Sequence, residues 1–106
     1  MPLLHAFVVY VPETHMNTVL AAIGDAGAGR LGEYSHCSFT SSGTGRFTPL
    51  AGSKPFIGAQ GVPEQVAEVR IECVVEDELL DAVVRALRAA PPYEGPAFMS
   101  WPVNGH

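Results

Sequence analysis

The chain has little charge, less basic charge and almost no cysteine. Lys and Arg number 6 against 11 Asp and Glu, a net of −5 with neutral histidines. So anionic a surface lacks the counterion-releasing cations that hold a protein on nucleic acid or an acidic membrane, so neither is expected as a partner. The 2 cysteines, Cys37 and Cys73, form no CxxC pair and follow no secretory leader, so free thiols are expected. Long apolar runs are missing too. Leu3 to Val11 is interrupted by His5 and is too short for a membrane span, which leaves a cytoplasmic location by elimination. What is present is apolar: 47% of the 106 residues are hydrophobic and only 16% charged, a balance that favours collapse into one domain over residues 1–106.

The segment from Leu3 to Val11 is β-branched, aromatic and closed by Pro12, which predicts a strand. Both its faces, Leu3/His5/Phe7/Val9/Val11 and Leu4/Ala6/Val8/Tyr10, are largely apolar, as in a strand covered on two sides. Met16, Val19, Leu20 and Ile23 then follow helical spacing, and Gly27 and Gly29 supply a left-handed stop. Tyr34 to Thr48 reads as a β-hairpin turning at Ser41–Gly45, and Pro49 to Pro63 as a packed connector with Leu50, Phe56 and Ile57 as anchors. Glu68 to Cys73 alternates strictly, with Val69, Ile71, Cys73 and Val75 on one side and Glu68, Arg70 and Glu72 on the other. Leu79, Leu80, Val83, Val84 and Leu87 form a second amphipathic helix stopped by Pro91-Pro92, and Ala97 to Val103 a closing strand.

This order predicts an α+β fold, a ferredoxin-like βαββαβ sandwich with an extra β-hairpin, whose two helices share one face of an antiparallel sheet. The first strand is apolar on both faces, so the face without helices needs a cover. Leaving Leu4, Ala6, Val8 and Tyr10 wet would forgo on the order of 5 kcal/mol at ~25 cal/mol per Å², as much as a small domain's whole stability. A homo-oligomer packed through the open face is therefore expected.

The glycine-studded block Gly27-Ala28-Gly29-Arg30-Leu31-Gly32-Glu33-Tyr34-Ser35-His36-Cys37-Ser38-Phe39, with Gly43-Thr44-Gly45-Arg46-Phe47-Thr48-Pro49-Leu50, Pro55-Phe56-Ile57-Gly58, Glu68-Val69-Arg70-Ile71-Glu72 and Pro92-Tyr93-Glu94, resembles a domain of the NIF-three-like (YqfO-type) family. The likeness covers nearly the whole chain. In that family the domain is inserted in a larger protein, also occurs alone, and is similar in fold to CutA and PII proteins. The resemblance implies a CutA/PII-like homotrimer and a non-enzymatic regulatory or accessory role. The larger family's dinuclear metal site belongs to the enclosing domain, and no segment here resembles it, so a hydrolase or GTP cyclohydrolase label is not carried over. Where relatives commonly carry His before Pro-Tyr-Glu, this chain has Pro91.

Candidate chemistry gathers around His36. Strand alternation would put His36 and Cys37 on opposite faces, Cys37 with Phe39 in the core and His36 with Tyr34 and Ser38 near Arg70 and Glu72. His36, Arg70, Glu72, Tyr93 and Glu94 are the expected ligand-lining or interface residues, for a small ligand or a partner protein held between subunits. Register-setting hydrogen bonds between subunits are the plainer reading of His36, Arg70, Glu72 and Glu68. The alternative is a divalent metal, copper or zinc, on His36 and Glu72, since imidazole and carboxylate suit such ions. No cofactor is otherwise implied. Gly43-Thr44-Gly45 lacks the Gly-Lys-Ser/Thr ending of a phosphate loop. The acid-rich stretch from Glu64 to Asp81 reads as a solvated face with a helix N-terminus. Ser35, His36, Cys37 and Ser38 crowd together, but alternation separates them and no orienting carboxylate is apparent, so no enzyme is expected.

Overall fold

The structure, a computed structural model, describes residues 3–54, 57–92 and 96–105. Six main elements follow in order: β1 (Leu4–Pro12), α1 (Met16–Asp25), β2 (Phe39–Phe47), β3 (Glu64–Glu76), α2 (Leu80–Ala89) and β4 (Phe98–Val103). Short 3-10 turns, Glu13–His15 and Asp77–Leu79, lead into the two helices. The sheet is antiparallel throughout, in the order β2-β3-β1-β4. That is the βαββαβ ferredoxin-like arrangement expected from the apolar periodicities.

The core lies between the sheet and the helices. Phe7, Val9 and Val11 of β1 oppose Cys73, Ile71 and Val69 of β3, and with Val75 they form a buried apolar floor. Val19 and Ile23 of α1 and Val83 and Leu87 of α2 close it from above. Phe98 joins them at the edge, its ring centroid 5.9 Å from that of Phe7. Strict alternation in β3 thus became one buried face and one charged one, as a period of two requires.

The expected hairpin around Ser41–Gly45 does not form. Residues 39–47 make one uninterrupted strand whose register runs from Phe39 opposite Glu72 to Phe47 opposite Glu64. Glycine permits a reversal without imposing one, and thirteen-residue β3 offers an edge long enough to keep the whole run extended. Gly45 serves a close approach instead: a Cβ there would run into the Glu68 carboxylate. The β2–β3 pair reaches past the end of β1, which pairs β3 only as far as Glu68, and draws the molecule out to 47 Å along its longest axis.

The connector after β2 carries turns and no regular element among its described residues. Gly61 N–H donates to the Pro49 carbonyl at 2.6 Å and so closes its base. Of its expected anchors, Ile57 is half-buried, Leu50 is exposed, and Phe56 lies outside the described residues. Leu50 sits at the projecting end of the β2–β3 pair, beyond the helices, where no core exists to take it. Among the described residues, no helix is long and apolar enough to cross a membrane.

Truncating Phe7 to Ala should remove about 3–5 kcal/mol of stability. Urea unfolding, followed as a shift of midpoint at unchanged slope, measures it.

Candidate functional site

The α1–β2 loop, residues 26–38, is held by backbone pairing. Gly29 N–H donates to the Val74 carbonyl at 2.8 Å, and Cys37 N–H donates to the Gly29 carbonyl at 3.0 Å. Gly29 thus sits between β3 and Cys37, bonded through its backbone to both. Its φ of 81° is left-handed, and a Cβ would meet the Cys37 backbone, so no other residue fits without a shift. Leu31 and Tyr34 exchange two N–H···O bonds of 2.9 Å around Gly32, closing the loop's outer turn.

This pairing moves His36 away from its expected place. β2 begins at Phe39, so Tyr34 to Ser38 are not strand residues, and alternation does not govern them. The wedge of Gly29 takes the backbone partners that would have continued the ladder to Cys37. His36 adopts a left-handed φ of 59°, and its ring lies over Gly24 of α1, where a Cβ would strike the imidazole. Its Nε2 lies 2.9 Å from Asp25 Oδ1, and its Nδ1 lies 2.9 Å from Ser35 Oγ. The orienting carboxylate that the sequence did not reveal is therefore Asp25, at the end of α1.

A cavity of about 160 Å³ opens between α1 and β3 beside this loop. Leu20, Ala21, Ile23 and Ala28 supply apolar wall, and His36, Cys37, Ser38 and Cys73 line the rest. Both thiols are free. Cys73 belongs to the core as expected, whereas Cys37 is only half-buried at the loop. Burial, with the Glu72 carboxylate adding to it, pushes the Cys73 thiol up from 9.0 to about 11.

Arg70 and Glu72 lie on the other side of the sheet. Arg70 Nη2 donates to Glu72 Oε2 at 3.0 Å and Nη1 to the Tyr10 hydroxyl at 3.4 Å, with the guanidinium 6.0 Å from the Tyr10 ring centroid. His36 and Glu72 are thus on opposite layers of one chain and do not form the expected metal pair. Among the described residues, no group of three or more His, Cys, Asp or Glu side chains could hold a metal ion. Tyr93 and Glu94 lie outside the described residues. The sequence reading missed Asp25 and Tyr10. Asp25 stands eleven residues before its partner, and its one sequence signal is the glycine before it, which leaves room for a ring.

The open face carries the rest of the chain's unusual surface. Pairing puts Leu4, Ala6, Val8 and Tyr10 of β1 in line with Val103, Trp101 and Met99 of β4 on one side and with Glu76, Val74, Glu72 and Arg70 of β3 on the other. Met99 and Trp101 are 48% and 42% exposed, and Phe39, opposite Glu72, is 69% exposed. Val8, expected to lie bare, is buried between its cross-strand neighbours Glu72 and Met99, while Leu4, Ala6 and Tyr10 are half-buried. The apolar area therefore concentrates on the β1–β4 half, and a charged row along β3 borders it.

The strand order, the two helices on one face and the bare opposite face define a ferredoxin-like domain of the CutA and PII kind. CutA from Synechococcus elongatus superimposes with a TM-score of 0.64 at 17% identity, over 95% of this chain and 77% of that one. The Bacillus subtilis GlnK–ATP complex does so at 0.62 and 10%, over 95% and 82%. A Bacillus cereus protein related to NIF3 matches more closely, with a TM-score of 0.83 and 42% identity over 98% of this chain and 26% of that one. The GTP cyclohydrolase 1 type 2 homolog of Halalkalibacterium halodurans is 47% identical over 94% of this chain and 27% of its own length. No family model matches the chain. The chain belongs to the NIF3-related (YqfO-type) family through this one domain, and it spans about a quarter of the length of the curated relatives it matches.

Two measurements check the site. Gly29→Ala should cost at least ~1–2 kcal/mol from the left-handed backbone alone, read by thermal or urea unfolding. Alkylation at neutral pH should mark Cys37 in the native chain and Cys73 only after unfolding. Because the folded-state Cys73 value is raised, the unfolded chain loses this proton first as pH rises. Stability should therefore fall between pH 9.0 and about 11 in the native sequence, and this part of the slope should vanish in Cys73→Ala.

Proposed function

We propose that this domain works as a homo-oligomer, a trimer, packed through the β1–β4 half of its open sheet, and that it is a regulatory or accessory module without turnover of its own. It binds a small ligand or a partner protein where the copies meet. The observation that carries this reading is the exposure of Met99 and Trp101 beside half-buried Leu4, Ala6 and Tyr10 on a face that no helix of the described residues covers. Large apolar side chains gathered on one surface mark a contact with another macromolecule. The fold likeness to CutA and PII proteins supports the same assembly.

Arg70, Glu72 and Tyr10 border the apolar area, and in the assembly they set register between subunits or line the ligand cleft. Rim charges contribute more to specificity than to affinity, which suits both roles. Binding between subunits places recognition on surfaces that a single chain does not complete. The enzymatic name borne by the longer relatives describes proteins of which this chain spans about a quarter, and none of their activity is assigned to it.

Size-exclusion chromatography with light scattering tests the assembly. The native chain should run as a trimer at micromolar concentration, and Trp101→Glu should yield a folded smaller species, because a charge at the centre of the contact is costly to bury. A native monomer would overturn the proposal. A metabolite and nucleotide screen by thermal shift tests the ligand: at a hundred times its dissociation constant, a binder adds ~2.7 kcal/mol.

A further inference from the structure

The end of α1 and the α1–β2 loop together hold a hydrogen-bonded chain that oligomeric binding does not use. Asp25 Oδ1 and His36 Nε2 are 2.9 Å apart, as are His36 Nδ1 and Ser35 Oγ. In the tautomer whose Nε2–H donates to the Asp25 carboxylate, the Nδ1 lone pair faces the Ser35 hydroxyl. Hydroxyl, imidazole and carboxylate thus stand in the order of nucleophile, base and orienting group, an arrangement recognised by roles rather than by chain position.

The loop is built around this chain. His36 holds a left-handed φ of 59°, which a non-glycine residue keeps only where its surroundings over-determine it. Gly24 clears the space for its ring, and the Gly29 wedge fixes Cys37 directly after it. His36 also lines the cavity of about 160 Å³, whose wall of Leu20, Ala21 and Ile23 is apolar. The cavity is open to solvent and Ser35 is not among its lining residues, so it places His36 beside apolar wall without setting a limit on the length of an acyl chain.

We propose that Ser35 is an acyl-accepting serine, with His36 as its base and Asp25 as the residue that positions His36. The donor class is an activated acyl compound: an acyl phosphate, a thioester or an aryl ester. The bond from Ser35 Oγ to the acyl carbon forms as the bond from that carbon to its leaving oxygen or sulfur breaks. The hydroxyl proton passes to His36 Nδ1 and then to the leaving group, while Asp25 stays ionised. The product is a covalent acyl-serine, formed once per chain, in a loop on the helix side of the sheet. It stands or falls independently of the assembly on the other side.

p-Nitrophenyl acetate on the full chain is the probe, with nitrophenolate release followed by absorbance and the adduct located by peptide mass mapping. One acetyl group per chain is expected on Ser35, arriving at least ~100-fold faster than on any other serine, the scale of a positioned general base. Ser35→Ala abolishes it. His36→Ala reduces it to background, and free imidazole added to that variant restores part of the rate. Asp25→Asn slows acetylation at an unchanged melting temperature, and Asp25→Glu recovers part of it, which a purely structural role for Asp25 would not produce. Acetylation of Ser35 no faster in the native chain than in urea, or an adduct confined to Cys37 or Lys54, overturns the proposal. The native-against-urea comparison decides the matter even if a variant fails to fold.

Discussion

Both helices of this chain lie on the same side of its sheet, and that one-sided cover governs the rest of the molecule. With two ten-residue helices on one side, the fold seals Phe7, Val9, Val11 and Ile71 completely and Val69 nearly so. Among the described residues no helix covers the other side, where β1 still presents half-buried Leu4, Ala6 and Tyr10. The sheet reduces the deficit internally. Val8 disappears between Glu72 and Met99, because side chains directly opposite one another on neighbouring strands stand close enough to close over a valine. What remains is concentrated along β4, in Met99 and Trp101, and is stopped at β3 by a row of carboxylates with Arg70 among them.

The two sides of the sheet consequently hold different chemistry. On the open side Arg70 and Glu72 form a paired charge on β3, suited to fixing how copies meet. On the helix side, the end of α1 and the α1–β2 loop bring Asp25, His36 and Ser35 into one hydrogen-bonded chain, and His36 and Cys37 line a small, largely apolar cavity beside it. Glycine makes that loop possible at two points for two reasons. Gly29 supplies a backbone conformation and a close approach, whereas Gly24 is helical and supplies only the absence of a side chain beneath the His36 ring. Cys73, behind the same cavity, is held as a neutral thiol by its burial, which leaves Cys37 as the accessible sulfur.

Much of the fold was legible in the residues. The periodicities of Met16–Ile23, Val69–Val75 and Leu79–Leu87 each report a one-sided environment, and each became a buried face of the expected kind. The hairpin read at Ser41–Gly45 was not legible, because glycine in an extended run is equally consistent with a turn and with a strand approached closely by a neighbour. The long pairing with β3 decided for the strand. The site was read less well for a related reason. Placing His36 by alternation assumed that β2 began before it, and a single residue from a distant loop, Gly29, had already taken the backbone partners that such a strand would need.

The sequence by itself determined the element order, the two helical faces, the alternation of β3 and the presence of more apolar surface than two helices can cover, because each of these depends on the spacing of side chains along one stretch of chain. Only the tertiary structure decided where strand β2 starts, that His36 meets Asp25 rather than Glu72, and which part of the open face stays bare. Those outcomes depend on which backbone groups and side chains from separate segments reach one another first, and spacing along the chain carries no measure of that.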